Sequence, residues 1–274
     1  MIEKISEEVY RKILEEVKAE GSDGGSSAGA AQTKVTAKDI AKMIDHSLLN
    51  PIMTKQDIID GCKIAKEYDV ASVCVKPSEV ALSKIELAGT DVLVTTVVGF
   101  PHGSSKTEVK VFEAEEAMKD GAVELDMVVN IGRLLSRDFD YVEKDIKSVC
   151  DAAHAKGVIV KVILENCYLT DELKEIACRI CEKAGADFVK TSTGYGTGGA
   201  TIEDLKLMRR VTGPKVRVKA AGGVRTLDNA LSVRSVGTVR FGATATKVIM
   251  EEAYKREKEG TLKLTEAGQL KSGY

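Results

Sequence analysis

Two lysines inside apolar, β-branched runs are the residues of this sequence best suited to chemistry. Lys190 interrupts Ala186–Gly194 (ADFVKTSTG), and Lys219 lies near the end of Lys215–Gly223 (KVRVKAAGG). Strand interiors disfavour lysine, and a buried ammonium is costly unless it is paired or deprotonated. A lysine on an edge strand facing solvent is the alternative. The repetition of the pattern favours two lysines at one pocket, where an unprotonated amine is a nucleophile.

A carboxylate in a third apolar run is a candidate counter-charge for the two lysines. Asp126 lies within Ala122–Val129 (AVELDMVV), where an unpaired buried carboxylate would be expensive. The strand lysines are the cations available to it. Other polar candidates follow or end predicted strands: Asp45, His46, His102, Asn130, Lys161 and Glu165. Three of them also have ordinary structural interpretations, with Asp45 capping a turn, His46 hydrogen-bonded in the core and His102 on an exposed loop.

Eight β-branched runs alternating with helical patterns must position these side chains. The predicted strands span 43–48, 71–75, 91–98, 122–129, 158–165, 186–191, 215–220 and 236–242. Eight such units indicate a (β/α)8 barrel, in which functional groups gather at the carboxyl ends of the strands. An open doubly wound sheet is the alternative, but the first predicted strand is not followed by a Gly-x-Gly-x-x-Gly turn.

The barrel is predicted to be one domain with extensions at both ends. Apolar residues at helical spacing, beginning with Ile2, Ile5 and Val9, predict an amphipathic helix over residues 1–20. Residues 21–32 are rich in Gly, Ser and Ala and predict a flexible linker. The barrel itself is expected over 33–258, followed by a tail over 259–274.

Composition excludes several classes of protein. The net charge of -2 over 274 residues disfavours a nucleic-acid partner, which would need a strongly basic face. The longest apolar runs fall short of a membrane span, and the N-terminus does not resemble a signal peptide, so a cytoplasmic location is expected. Six irregularly spaced cysteines indicate reduced thiols. Cys178 and Cys181 form a C-x-x-C without a second pair, which disfavours a zinc site.

Two glycine-containing loops suit an anion. Gly222-Gly223 follows the seventh predicted strand, Gly242 follows the eighth, and each loop opens a helical segment. Glycines let backbone N–H groups approach an anion closely, and barrels frequently bind phosphate at these two positions. Tight turns with no ligand are the alternative interpretation for either loop alone.

The strand motifs together resemble the deoxyribose-phosphate aldolase family over residues 40–250. The resemblance rests on the lysine motifs in their order, whereas the glycine loops are shared with many phosphate-binding barrels. The motifs are Ile44–Leu49 (IDHSLL), Ser72–Val75 (SVCV), Val98–Pro101 (VGFP), Glu124–Val128 (ELDMV), Lys161–Glu165 (KVILE), Phe188–Gly194 (FVKTSTG), Val218–Arg225 (VKAAGGVR) and Arg240–Ala243 (RFGA).

This resemblance implies a class I aldolase, a metal-independent carbon–carbon lyase with no cofactor. Its reaction is the reversible cleavage of 2-deoxy-D-ribose 5-phosphate to D-glyceraldehyde 3-phosphate and acetaldehyde, in deoxyribose phosphate catabolism. Lys190 would be the Schiff-base nucleophile, Lys219 the neighbouring cation and Asp126 the general acid/base. Lys161 would complete the charge network or hold a substrate hydroxyl. The phosphate would bind around Gly194, Gly222, Gly223, Gly242 and the Thr244 hydroxyl, and a homodimer is expected.

Two features qualify the resemblance. After the eighth strand many family members have Gly-Ala-Ser-Ser, whereas this chain has Gly242-Ala-Thr-Ala245, so one phosphate-binding hydroxyl is absent. Tyr274 matches a terminal tyrosine that reaches the active site in some members, although a surface position is equally compatible with the sequence.

Three alternatives stay open at this point. A different Schiff-base barrel aldolase would use the same lysine with other aldehydes. A metal-dependent lyase or epimerase would need clustered His and carboxylate ligands, and the chain has three histidines. A catalytically silent binding protein is disfavoured because both lysines and Asp126 are present.

Overall fold

A closed barrel of eight parallel strands forms the centre of the molecule. The computed structural model describes residues 35–264, 267, 268 and 270. Each strand pairs with the next, and β1 pairs with β8 to close the barrel, which confirms the predicted (β/α)8 architecture. The strands are Ile44–Leu48 (β1), Ser72–Val75 (β2), Leu93–Val98 (β3), Glu124–Val128 (β4), Ile159–Ile163 (β5), Phe188–Lys190 (β6), Arg217–Ala221 (β7) and Arg240–Ala243 (β8).

Helices surround the barrel and alternate with its strands. They are Ala37–Ala41 (α1), Lys55–Glu67 (α2), Val80–Glu86 (α3), Thr107–Asp120 (α4), Ile131–Leu135 (α5), Phe139–His154 (α6), Asp171–Lys183 (α7), Ile202–Val211 (α8), Leu227–Ser235 (α9) and Thr246–Lys258 (α10). Pro77–Glu79 and Asn166–Tyr168 form single 3-10 turns. Threonine side chains accept hydrogen bonds from the first turns of several helices, as N-caps do. These N-caps are Thr36, Thr54, Thr170, Thr201 and Thr226.

The eighth predicted strand begins four residues too early, whereas the other seven begin within two residues of the observed strands. The eighth strand was expected over 236–242, but β8 begins at Arg240. Val236 instead ends α9 as its C-cap, and Gly237 turns the chain with a φ of 85°. The β-branched residues of this segment therefore belong to the connection between α9 and β8, because the hydrogen bonds of the helix end take precedence over strand propensity.

The two faces of the strands differ in chemistry. The outward face is apolar and packs against the helices, through residues such as Val73, Leu125, Val160, Val189 and Phe241. Successive side chains along a strand point to opposite faces, so the polar residues that alternate with these point into the barrel. The inward face includes Asp45, Glu124, Asp126, Lys161, Lys190 and Lys219, all of them buried. The apolar core thus lies between strands and helices, and the barrel interior carries charge.

Several parts of the predicted domain organisation fall on residues outside the described ranges. The predicted helix over 1–20, the linker over 21–32 and Tyr274 are among them, so these stay predictions. Within the described ranges, none of the helices combines the length and the apolar character that a membrane crossing requires.

A buried ion pair outside the barrel joins two of the helices. Lys110 on α4 and Asp145 on α6 have fully buried side chains, with 2.5 Å between Lys110 Nζ and Asp145 Oδ2. Lys110 Nζ also donates to the Val128 carbonyl oxygen at the end of β4, at 2.9 Å. The pair therefore ties both helices to the strand that carries Asp126.

We expect Asp145→Ala to lower the free energy of unfolding by about 3–5 kcal/mol, because it leaves the Lys110 ammonium buried without a counter-charge. Urea unfolding followed by circular dichroism measures this loss. Asp151→Ala is the matched control on the same helix, since Asp151 pairs with Lys147 in solvent. Its expected loss is under about 0.5 kcal/mol. Equal losses in the two variants would contradict the interpretation.

Candidate active site

Lys190 and Lys219 lie directly opposite each other on neighbouring strands. They are register partners in the β6–β7 pair, and both are buried. The ammonium of each donates to the same oxygen, Asp126 Oδ2, at 2.7 Å. The structure thus brings together the three residues that the sequence analysis named as catalytic.

The two lysines differ in their other contacts, and their pKa values move in opposite directions. Burial is the main reason that the pKa of Lys190 lies below its ordinary value; the charge of Lys219 adds to this and Asp126 opposes it. Burial also disfavours the charged form of Lys219, but Asp126 and Asp45 outweigh it and raise the pKa of Lys219. Lys219 is accordingly the lysine that keeps its proton, and Lys190 is the one that loses it more readily.

Asp126 is the shared partner of three lysines. Its Oδ1 accepts from Lys161 Nζ at 2.9 Å, and its Oδ2 accepts from Lys190 and Lys219. Burial alone would favour the neutral acid, yet the three ammonium groups hold the pKa of Asp126 well below its ordinary value. The carboxylate therefore stays ionised although no part of it reaches solvent.

A second layer of charges adjoins these residues inside the barrel. Lys161 Nζ donates to Glu124 Oε2 at 2.6 Å, and Arg240 pairs with the same oxygen at 3.0 Å. Arg240 also donates to Asp45 Oδ1, through Nε at 2.9 Å. Asp45 in turn pairs with Lys219 through Oδ2. Asp45 is therefore part of the ion-pair network and not merely a turn cap.

Two members of this layer had no predicted role. Glu124 and Arg240 stand within the strand motifs quoted above, but only as neighbours of Asp126 and Gly242. The available signal was the strand period of two, which places each of them on the same face as that neighbour.

The remaining polar candidates lie outside this network. His46 is buried, its Nδ1 lies 2.8 Å from Thr246 Oγ1 on α10, and burial lowers its pKa to about 4. His102 is exposed. Asn130 caps α5 by accepting from the Arg133 N–H. Glu165 accepts from the Thr193 N–H and hydroxyl, and so holds the turn that follows Lys190.

A cavity of about 280 Å³ opens above the two lysines. Every predicted phosphate-binding residue lines it, namely Gly194, Gly222, Gly223, Gly242 and Thr244. Gly222 and Gly223 have φ values of 81° and 92°, which side chains other than glycine rarely adopt. The loop after β7 can therefore direct successive backbone N–H groups toward one anion.

Lys161 differs from the other predicted substrate-binding residues in its position. It is fully buried and is absent from the cavity lining, behind Asp126. Its contacts match the predicted completion of the charge network. The alternative role, a contact to a substrate hydroxyl, stays a prediction that this position does not favour.

Residues that the sequence analysis did not name also form the cavity wall. Tyr195 lines it, and its hydroxyl donates to the Leu49 carbonyl oxygen at 2.9 Å, joining the loops after β6 and β1. The Phe100 ring meets the Tyr195 ring edge-on, with centroids 5.5 Å apart. No pattern in the sequence placed these three loops side by side.

Burial raises the thiol pKa values of Cys74, Cys178 and Cys181. Cys74 lines the cavity, but burial raises the pKa of its thiol to about 11, which favours the inert thiol. Cys178 and Cys181 are buried in α7 with raised thiol pKa values, mainly from burial. Among the residues that the structure describes, no three His, Cys, Asp or Glu side chains are grouped so as to hold a metal ion.

Comparison with known proteins identifies the relatives of this chain. Residues 40–250 match the DeoC/LacD family aldolase. Deoxyribose-phosphate aldolase of Thermococcus gammatolerans is 54% identical over 221 residues, which cover 80% of this chain and 98% of that protein. A crystal structure of a putative deoxyribose-phosphate aldolase from Coccidioides immitis superposes with a TM-score of 0.81 at 37% identity, covering 89% of this chain and 98% of that one. The deoxyribose phosphate aldolase of Aeropyrum pernix, described as a unique tetramer, gives a TM-score of 0.74 at 29% identity, covering 80% and 92%.

The loop after β7, which contains Gly222 and Gly223, is predicted to bind an anion only in its observed backbone conformation. We expect Gly223→Ala to weaken the binding of inorganic phosphate about tenfold, because a Cβ at positive φ costs about 1–2 kcal/mol and displaces the N–H groups. Isothermal titration calorimetry measures the affinity. Gly157→Ala is the matched control, since Gly157 also has a positive φ (70°) but is exposed between α6 and β5. If both variants bind phosphate as the unmodified chain does, the loop is not the anion site.

Proposed function

We propose that this chain, which belongs to the DeoC/LacD aldolase family and is a class I aldolase, cleaves 2-deoxy-D-ribose 5-phosphate through a Schiff base on Lys190. The reaction is reversible and gives D-glyceraldehyde 3-phosphate and acetaldehyde. One observation supports the assignment of residues. Lys190 and Lys219, which lie opposite each other on neighbouring strands, both contact Asp126 at the floor of a cavity lined by glycine-containing loops.

Schiff-base formation requires an unprotonated amine. At a reference pKa near 10.4, only about one lysine in a few thousand is neutral at pH 7. Burial and the Lys219 ammonium both lower the pKa of Lys190, which increases this fraction. Lys219 is unsuited to the same role, because two carboxylates hold its proton.

The bond changes follow from the position of the imine. Lys190 Nζ attacks C1 of the open-chain sugar, and loss of water gives a protonated imine. The C2–C3 bond then breaks, its electron pair moves toward the iminium nitrogen, and the C3 hydroxyl loses its proton. D-glyceraldehyde 3-phosphate leaves, and the two remaining carbons stay on Lys190 as an enamine. Protonation at C2 and hydrolysis release acetaldehyde and the free amine.

We assign the proton transfers to Asp126 and Lys219 acting together. Asp126 lies behind the lysines and does not line the cavity, whereas Lys219 does. Lys219 Nζ donates to Asp126, so it can pass one proton to that carboxylate while it accepts another from the C3 hydroxyl. The reverse transfer protonates C2 of the enamine. After a full catalytic cycle, Lys219 and Asp126 have returned to their original protonation states.

The phosphate binds at the wall of the cavity that the loops after β6, β7 and β8 form. Gly194, Gly222, Gly223 and Gly242 present backbone there, and Thr244 offers a hydroxyl. The two loops after β7 and β8 run into α9 and α10, whose N-termini add partial positive charge. Fixing the phosphate in this way positions C1 of the sugar at Lys190.

The oligomeric state and the cellular location of this chain are also part of the proposal. The Aeropyrum pernix relative is described as a tetramer. The homodimer and the cytoplasmic location expected from the sequence stay predictions for this chain.

Reductive trapping tests the nucleophile. Incubation with acetaldehyde and sodium borohydride should leave an ethyl group on Lys190, located by peptide mass spectrometry, because borohydride reduces the imine irreversibly. Lys190→Arg should abolish this adduct, since a guanidinium does not form the imine. Lys215→Arg is the control, because Lys215 is an exposed lysine of the neighbouring segment and its loss should leave labelling intact.

Two outcomes would contradict this assignment. An ethyl group on Lys219 in place of Lys190 would exchange the roles of the lysines. Folded protein that turns over 2-deoxy-D-ribose 5-phosphate without any trapped lysine would reject the Schiff base.

A further inference from the structure

The ion pairs inside the barrel form one connected network with an excess of positive charge. Arg240 links Asp45 to Glu124, Lys161 links Glu124 to Asp126, and Lys219 links Asp126 back to Asp45. Lys190 joins through Asp126 alone. The four basic groups are Lys161, Lys190, Lys219 and Arg240, and the three carboxylates are Asp45, Glu124 and Asp126.

Lys190 is the most weakly held cation of this network. Lys161, Lys219 and Arg240 each pair with at least two carboxylates. Among residues 35–264, Lys190 pairs with Asp126 only, and it shares that carboxylate with two other lysines. When four basic groups are buried with three carboxylates, the loss of one proton balances the charge, and the geometry directs that loss to Lys190.

We propose that Arg240 and Glu124 are positioning residues that set the charge count of the network and so make Lys190 the amine that gives up its proton. This inference rests on the proposed function, in which neutral Lys190 attacks the substrate. Neither residue lines the cavity, so neither contacts the substrate directly. Their effect reaches Lys190 through Asp45, Lys219, Lys161 and Asp126.

Other ionisable groups also face Lys190 and must be kept constant in any test. Asp126 approaches from β4, Lys219 from β7 and Cys74 from β2. Glu165 approaches from the end of β5, but its carboxylate is held by Thr193 and, within residues 35–264, makes no ion pair. The variants proposed below leave all four unchanged.

Charge-neutral variants at the two positions have opposite expected effects. Arg240→Met leaves three basic groups with three carboxylates, so Lys190 retains its proton to higher pH. Glu124→Gln leaves four basic groups with two carboxylates, so Lys190 loses its proton at lower pH. The double variant restores an excess of one positive charge, and Arg240→Lys retains the original count.

The measurement is the pH dependence of kcat/KM for cleavage of 2-deoxy-D-ribose 5-phosphate by the full chain, whose acidic limb reports the pKa of Lys190 in the free enzyme. We expect the limb to move up by about one pH unit in Arg240→Met and down by about one unit in Glu124→Gln. It should return to the original position in the double variant and stay there in Arg240→Lys.

The outcomes separate this inference from the proposed function. If the unmodified chain turns over substrate and labels Lys190, but the two single variants leave the limb in place or move it the same way, the charge-count role is rejected and the aldolase function stands. A uniform loss of kcat without a shifted limb also rejects it, since that is the effect of structural damage alone. If Arg240→Met does not fold, the direction of the Glu124→Gln shift decides by itself.

Discussion

One carboxylate organises the interior of this molecule. Asp126 is fully buried and accepts hydrogen bonds from Lys161, Lys190 and Lys219, which arrive from three consecutive strands of the barrel. The Lys190 ammonium would be costly in the barrel without Asp126, and Asp126 would be costly without the three ammonium groups. The strand order, the register and the inward direction of these four side chains therefore depend on one another. A shift of register by one residue would turn the charged side chains of a strand toward the apolar layer under the helices.

The charged interior is the part of the fold that chemistry requires and stability does not favour. Buried ion pairs contribute little net stability compared with well-packed apolar residues. The favourable burial lies instead between strands and helices, where Val, Leu, Ile and Ala residues form a continuous layer. Because the apolar layer between strands and helices supplies the stability, the barrel can hold several charges in its interior. It also gives Lys190 a buried environment that lowers the pKa of its amine below the ordinary value.

The cavity combines two recognition principles at one end of the barrel. Its floor is made of side chains on strands, among them Lys190 and Lys219. Its wall is made of loops after β6, β7 and β8, whose glycines leave backbone N–H groups accessible at the cavity. Parallel strands bring all their carboxyl ends to the same edge, so both parts meet although they are far apart in sequence. In the proposed reaction, the C2–C3 bond of the sugar phosphate lies between the imine on Lys190 and the Lys219–Asp126 pair, which accepts the proton.

The sequence by itself determined the eight-strand barrel, because β-branched runs alternate with helical patterns along the chain. It also singled out Lys190, Lys219 and Asp126, because burying a charged side chain costs free energy unless the side chain is paired. Only the tertiary structure decided which charges pair. Arg240 and Glu124 come from strands on different sides of the barrel, and the Tyr195 contact to Leu49 joins loops that are distant in the chain. The start of β8 was likewise set by the end of α9. Local sequence patterns indicate secondary-structure propensity and the face of a strand on which a side chain lies. Contacts between side chains across the barrel depend on barrel closure and strand register, which no local segment encodes.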